Sequence, residues 1–345
     1  MSGRYKLGLS RNRLFEFNNT VVFCGKYKSF IDENEANKAL KMLAIKEPVV
    51  TSVIELEENS DAYVVTDVVE IKLNTSTLTA EEMFYKYQKQ PLDFTERLFE
   101  FSVSSDGFLV IAGHTVVCDA KSLLRLAVYF TGFYEKSDLS VEPSEIHTFS
   151  VQGTLPVDVV SPMINKLSAE LDGKWEKDAV LYSVDDFKKA KKKYVENFPD
   201  IDKVNVFLTC GDVAKLKESC NLLEIDFSSI LYFCFYSAIL KNVRASKDCS
   251  KMRVYADRRF FHVEKDVCSV GAYNGMVCAS LKKKDLRKST EEKLKAFHLE
   301  VYRAVTSPYR VFADEVLLSS LSSAFCDSSY IYMAGESKLK SSKIL

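Results

Sequence analysis

The sequence has little of what loops and metal scaffolds are made from. Of its 345 residues only 7 are proline and 12 glycine, against 17 tyrosines and 23 phenylalanines, which argues against disorder and against a loop-rich scaffold. Nine cysteines are scattered without a single CxxC pair. That argues against a zinc ribbon and for reduced thiols in a cytoplasmic compartment. No sign of charge dominates: 47 basic residues against 48 acidic leave −1. The chain as a whole therefore has no general attraction for nucleic acid or an anionic membrane. The longest apolar run, SSILYFCFYSAIL at 228–240, is too short to span a bilayer. There is no Walker loop, no GxGxxG after a strand, no GxSxG elbow and no HExxH. Histidine is also scarce, with four in the chain.

What is present reads as a globular protein in two halves. The length exceeds what one compact core usually holds. Capping-box spacings open helices at Asp32 with Glu35, at Thr79 with Glu82 and at Ser289 with Glu292. Two hairpins read around residues 58–61 and at Asp106-Gly107. Residues 143–199 are less patterned, hold the only tryptophan (Trp175) and the basic run FKKAKKKY at 187–194, and read as a crossover with a solvated basic face. The second half repeats the grammar: a strand KVNVFLTC, a helix after it, an apolar helix through Leu240, strands KMRVYADRRFF and YNGMVCASL, and a helix from Ser289 to about Ala304. The expected architecture is an α/β (α+β) two-lobe sandwich. Its parts are a first lobe at 1–155, a crossover at 156–200, and a second lobe at 201–345 that is incomplete at its end.

The stretch that carries chemistry is VIAGHTVVCDAKSLL, 110–124. An apolar strand ends in His114, and Asp119 stands five residues on, at the head of an amphipathic helix. This arrangement resembles the HHxxxDG signature of the chloramphenicol-acetyltransferase-like superfamily, which includes condensation domains and related acyltransferases. Here the signature stands as HTVVCDA. KYKSFIDENEANKALKMLAIKEPVV, QPLDFTERLFEFSV and YADRRFF…VGAYNGMVCASL resemble, in order, further family segments across most of residues 14–305.

The resemblance implies two similar lobes with a tunnel between them. An acyl thioester enters one mouth, on coenzyme A or on a carrier protein, and an alcohol or amine acceptor enters the other. Neither a permanent cofactor, nor a metal, nor nucleic acid, nor a transmembrane segment is implied. By the same resemblance His114 matches the supporting histidine, and Asp119 matches a structural aspartate paired with an arginine, for which Arg258 is the best match. Cys118 and Asn274 become candidates for the tunnel wall. Thr115 falls on the catalytic base. A threonine hydroxyl has no useful basicity near neutral pH, and general-base catalysis is worth about 10²–10⁴-fold. Ala120 replaces the glycine of the signature, and no DFGWG-like stretch follows Tyr330. Two readings stay open: a degenerate acyltransferase-fold protein acting as a binding or interaction module, and an active acyltransferase with His114 as base. Cys118 as nucleophile is the weaker idea, since nothing nearby in sequence marks an activating base. His262 reads as a loop residue.

Overall fold

The computed structural model describes residues 3–7, 19–27, 31–57, 62–136, 141–146, 162–175, 189, 192, 196, 208–242, 251–261 and 269–313. The first half is built on a four-stranded sheet. Its strands are β2 (Thr20–Lys26), β5 (Leu73–Thr75), β6 (Phe99–Val103) and β7 (Phe108–His114), in the order β2-β7-β6-β5. The β5 and β6 pair is parallel and the others are antiparallel. A smaller antiparallel sheet, in the order β1-β4-β3, joins β1 (Arg4–Lys6), β3 (Val53–Leu56) and β4 (Ala62–Val65).

Helices cover both faces of the larger sheet, and this explains why β7 is apolar without alternation. Leu109 and Ile111 face the main core, beneath α1 (Glu33–Lys46) and α3 (Ala120–Glu135). Val110 and Ala112 face α2 (Ala80–Lys89), against Met83 and Tyr87. The hairpin from β6 to β7 turns at Gly107, whose φ of +81° is natural for glycine.

The helix starts are where the caps put them. Asp32 accepts from the Glu35 N–H, and the Thr79–Glu82 and Ser289–Glu292 boxes are both closed. In the second half α5 (Cys210–Leu223) and α6 (Phe227–Asn242) precede a two-stranded antiparallel ladder, β8 (Met252–Asp257) with β9 (Asn274–Ala279). Then come α7 (Thr290–Val305) and the short α8 (Pro308–Val311). Val254, Ala256, Val277 and Ala279 pack inward against α6 and α7, where Tyr236 and Phe297 stack with ring centres 5.0 Å apart.

Three expectations differ. The crossover contains a helix, α4 (Pro162–Trp175). The run KVNVFLTC does not extend as a strand through its last residue, because a closed Thr209–Asp212 box starts α5 at Cys210; residues 203–207 lie outside the described residues. The strand KMRVYADRRFF stops at Asp257, and a 3-10 turn takes over at Arg258–Phe261. Of the basic run at 187–194, Lys189 and Lys192 are described, and both are exposed. His262 lies outside the described residues, as does the tail beyond Ala313.

Candidate functional site

The motif sits where β7 ends and α3 begins. His114 is the last residue of β7 and is fully buried. Its parity places it with Val110 and Ala112, on the face away from α3. The ring packs edge-on against Phe94, with centres 5.5 Å apart, and Nδ1 accepts the Val116 N–H at 3.2 Å. A nitrogen that accepts a backbone proton carries none itself, so the neutral ring has its proton on Nε2.

Thr115, at the signature's base position, turns toward the start of β2. Its hydroxyl donates to the Asn19 carbonyl at 3.0 Å and accepts the Asn19 N–H at 3.3 Å. The Thr115 N–H donates to the same carbonyl at 2.9 Å. Position 115 thus extends the β2–β7 pairing by one residue.

Cys118 belongs to the core of the first half. Its Sγ lies 3.1 Å from where a Cβ on Gly113 would stand, and the thiol donates to the Asp119 carbonyl at 3.4 Å. Burial, with the Asp119 charge adding to it, pushes the thiol pKa well above its ordinary value. That is the opposite of what a nucleophilic cysteine needs. Asn274, the other expected tunnel residue, is half-buried at the head of β9, opposite Asp257.

Asp119 is where the two halves meet. As N-cap of α3 its Oδ1 accepts the Ser122 N–H at 2.8 Å. The Arg259 guanidinium grips the same carboxylate with both arms, Nη1 to Oδ2 at 2.8 Å and Nη2 to Oδ1 at 2.9 Å. The Tyr273 N–H adds a fourth donor at 3.2 Å. Ser122 Oγ donates to the Gly271 carbonyl at 2.8 Å, and accepts from the Gly271 N–H at 3.1 Å and from Arg259 at 2.9 Å. Arg259 lies over the Tyr273 ring, 4.1 Å from its centre. Burial pushes the Tyr273 phenol up to about 12. Burial opposes the charge on Arg259 most, but the Asp119 hydrogen bonds together with the charges of Asp119 and Asp257 outweigh it and raise the guanidinium pKa. Asp257 continues the seam, bonded to Lys121 and to Arg259. Burial works against its charge too, and these two cations hold its pKa below the usual value.

The arginine partner is Arg259, where the sequence pointed to Arg258. The strand ends at Asp257, and the two arginines follow in the 3-10 turn. Arg258 turns to the second core: it is buried, donates to the Val311 carbonyl at 3.3 Å and lies over Phe312. Asp257 and Arg259 take the other face, toward α3. The choice between the two arginines is made by the 3-10 turn at Arg258–Phe261, which a strand reading of YADRRFF does not show.

On the elements that carry the seam, four large apolar side chains are exposed. Leu124 and Val128 on α3 are mostly exposed, as are Tyr255 on β8 and Phe260, whose ring is met by Lys121. Among the described residues no three His, Cys, Asp or Glu side chains converge as a metal site. No single described helix is long and apolar enough to cross a membrane; the pair Cys210–Leu223 and Phe227–Lys241, bent by 99°, passes such a test jointly by length and composition.

No family model matches the sequence, and no curated protein matches it. Solved structures do match in shape. The condensation domain of the Monacolin K polyketide synthase MokA is 14% identical, with a TM-score of 0.55 over 91% of this chain and 76% of that one. Polyketide synthase associated protein 5 from Mycobacterium tuberculosis is 13% identical, with a TM-score of 0.55 over 93% and 77%. The first condensation domain of the calcium-dependent antibiotic synthetase, solved with a substrate analogue, is 10% identical, with a TM-score of 0.56 over 91% and 78%. At such identities the likeness is one of fold, and the chain has the two-lobe fold of condensation domains.

Proposed function

We propose that this chain is an acyltransferase-fold protein that has given up base catalysis and works as a binding or interaction module, with lobes near 1–155 and 201–345 joined by a crossover. The observation that carries this reading is the state of positions 114 and 115. Thr115 offers a hydroxyl already engaged with the Asn19 backbone, and His114 has its accepting nitrogen turned to the Val116 N–H. A base must have a free lone pair within reach of the acceptor's proton. The Thr115 hydroxyl is too weakly basic to serve, and the His114 nitrogen that accepts is already held by the Val116 N–H. The Asp119 clamp and the apolar side chains beside it are features that binding uses and proton transfer does not. The ligand class is an acyl thioester, on coenzyme A or on a carrier protein, in the reading that rests on the motif's resemblance.

Calorimetry with acetyl- and long-chain acyl-coenzyme A, beside a thioester-release assay, tests this. The expected outcome is binding without turnover in the native protein, and turnover raised in Thr115→His, because an imidazole base is worth about 10²–10⁴-fold. Native turnover that falls by that order in His114→Ala would restore His114 as base and overturn the proposal.

A further inference from the structure

The near-zero net charge of the chain conceals one concentrated basic site, far from the Asp119 seam. After β9 the sequence runs LKKKDLRKSTEEKLK at 281–295, with seven basic residues against three acidic. The structure orders this stretch. Asp285 donates its N–H to the Lys282 carbonyl at 2.9 Å, a 3-10 turn follows at Asp285–Arg287, and Lys288 closes it with its N–H on the Asp285 carbonyl at 3.2 Å. The Asp285 side chain is buried and holds Lys288 at 2.7 Å. Glu292 is turned back onto Ser289 in the capping box. Both of these acids are therefore spent inside the turn, while Lys282, Lys283, Lys284 and Arg287 stand exposed. Leu286 projects between them, 43% exposed.

We infer that this turn adsorbs to an anionic lipid surface. The composition favours a bilayer over other polyanions. The turn is short, exposed cations flank one exposed leucine in sequence, and it contains no aromatic side chain on which a nucleic-acid base could stack. A leucine among exposed cations suits a boundary that is charged outside and apolar beneath. Position supports an independent role. The ladder puts Met252 opposite Ala279 at one end and Asp257 opposite Asn274 at the other, so the turn leaves the end about 17 Å from the seam. Exposed Lys251, just before β8, stands at the same end.

Co-sedimentation of the full chain with vesicles of 70% phosphatidylcholine and 30% phosphatidylserine is the experiment, with pure phosphatidylcholine as control. Each lysine near such a surface contributes roughly five-fold in affinity. The triple variant Lys282→Glu, Lys283→Glu, Lys284→Glu should bind at least about 100-fold more weakly, and 0.5 M salt should release the native protein. Leu286→Asp should weaken binding several-fold at low salt. These positions are solvent-facing, and an unchanged thermal midpoint confirms that each variant is folded. Equal binding to neutral vesicles, no binding to either, or full binding by the triple variant overturns the inference. So does tight binding of a DNA duplex with no vesicle binding, which would assign the turn to nucleic acid.

Discussion

Asp119 accepts four hydrogen bonds, from Ser122, Tyr273 and both arms of Arg259, inside a site that water hardly reaches. A buried carboxylate of this kind is stable only as a set. Removing one member strands the others, and the cost for such a pair is about 3–5 kcal/mol. Asp119→Ala should therefore lower the unfolding free energy by that amount in a denaturant titration. Arg259→Lys should also be costly, since an ammonium cannot reproduce the two-armed grip. Arg258→Lys should leave the Asp119 contacts intact and act only through its own site beside Val311. A larger loss of the Asp119 geometry in Arg258→Lys than in Arg259→Lys would reverse the assignment. The motif's resemblance implied that Asp119 is a structural acid paired with Arg258 from the far half, and the structure supplies the arginine one position along, at Arg259. The position of Thr115 was visible too, but its bond to Asn19 was not. The two are 96 residues apart, and no local pattern encodes that contact.

At the scale of elements, what could be read was what is local. Helix starts depend on a side chain three residues from its cap, so Thr79, Ser289 and Asp32 announced their helices. The Thr209–Asp212 box carried the same signal but followed an apolar run that reads as strand. The helix Pro162–Trp175 had a proline at its first position, a known start, in a region otherwise short of pattern. Packing between elements was not legible. Gly275 in β9 shows why: a Cβ there would stand 2.9 Å from the Val311 carbonyl oxygen, 2.8 Å from Val311 Cγ1 and 3.1 Å from Arg258 Nε. The close approach of α8 to β9 requires an absent side chain, and nothing adjacent in sequence says so. Gly275→Ala should destabilise by about 1–3 kcal/mol through overpacking. A thermal melt with an unchanged midpoint would show that α8 can move aside.

Over the whole molecule, the second half lends a residue to the core of the first. Val270, from the second half of the sequence, packs into the core of the first. Its N–H donates to Glu47 at 3.4 Å, and Ser144 Oγ donates to the same carboxylate at 2.9 Å. Glu47 is buried, and that burial raises its pKa. The folded state thus holds this proton more tightly than the unfolded chain does. The contribution to stability is fully present below the ordinary glutamate pKa of about 4.3, and is lost as pH rises through the raised value. Glu47→Gln, which cannot ionise, should gain on the native protein as pH rises from 4 to 7. Urea midpoints across that range check it, and parallel curves for the two proteins would exclude Glu47 as the source of the slope. The two-lobe plan itself was readable because each half repeats strands and helices. The joint was not, because it depends on single residues such as Val270 and Glu47 that lie 223 positions apart.

The alternation along β8 has a further consequence for how such a molecule tolerates change. One strand addresses two places at once: Val254 and Ala256 serve the second core, and Asp257 at its end faces the seam. Inserting a single residue between Ala256 and Asp257 would turn Asp257 inward, away from Lys121. A two-residue insertion would return it to the seam side. Lengths along this lineage should therefore vary in steps of two at the end of β8, a parity rule written by the joint between the lobes.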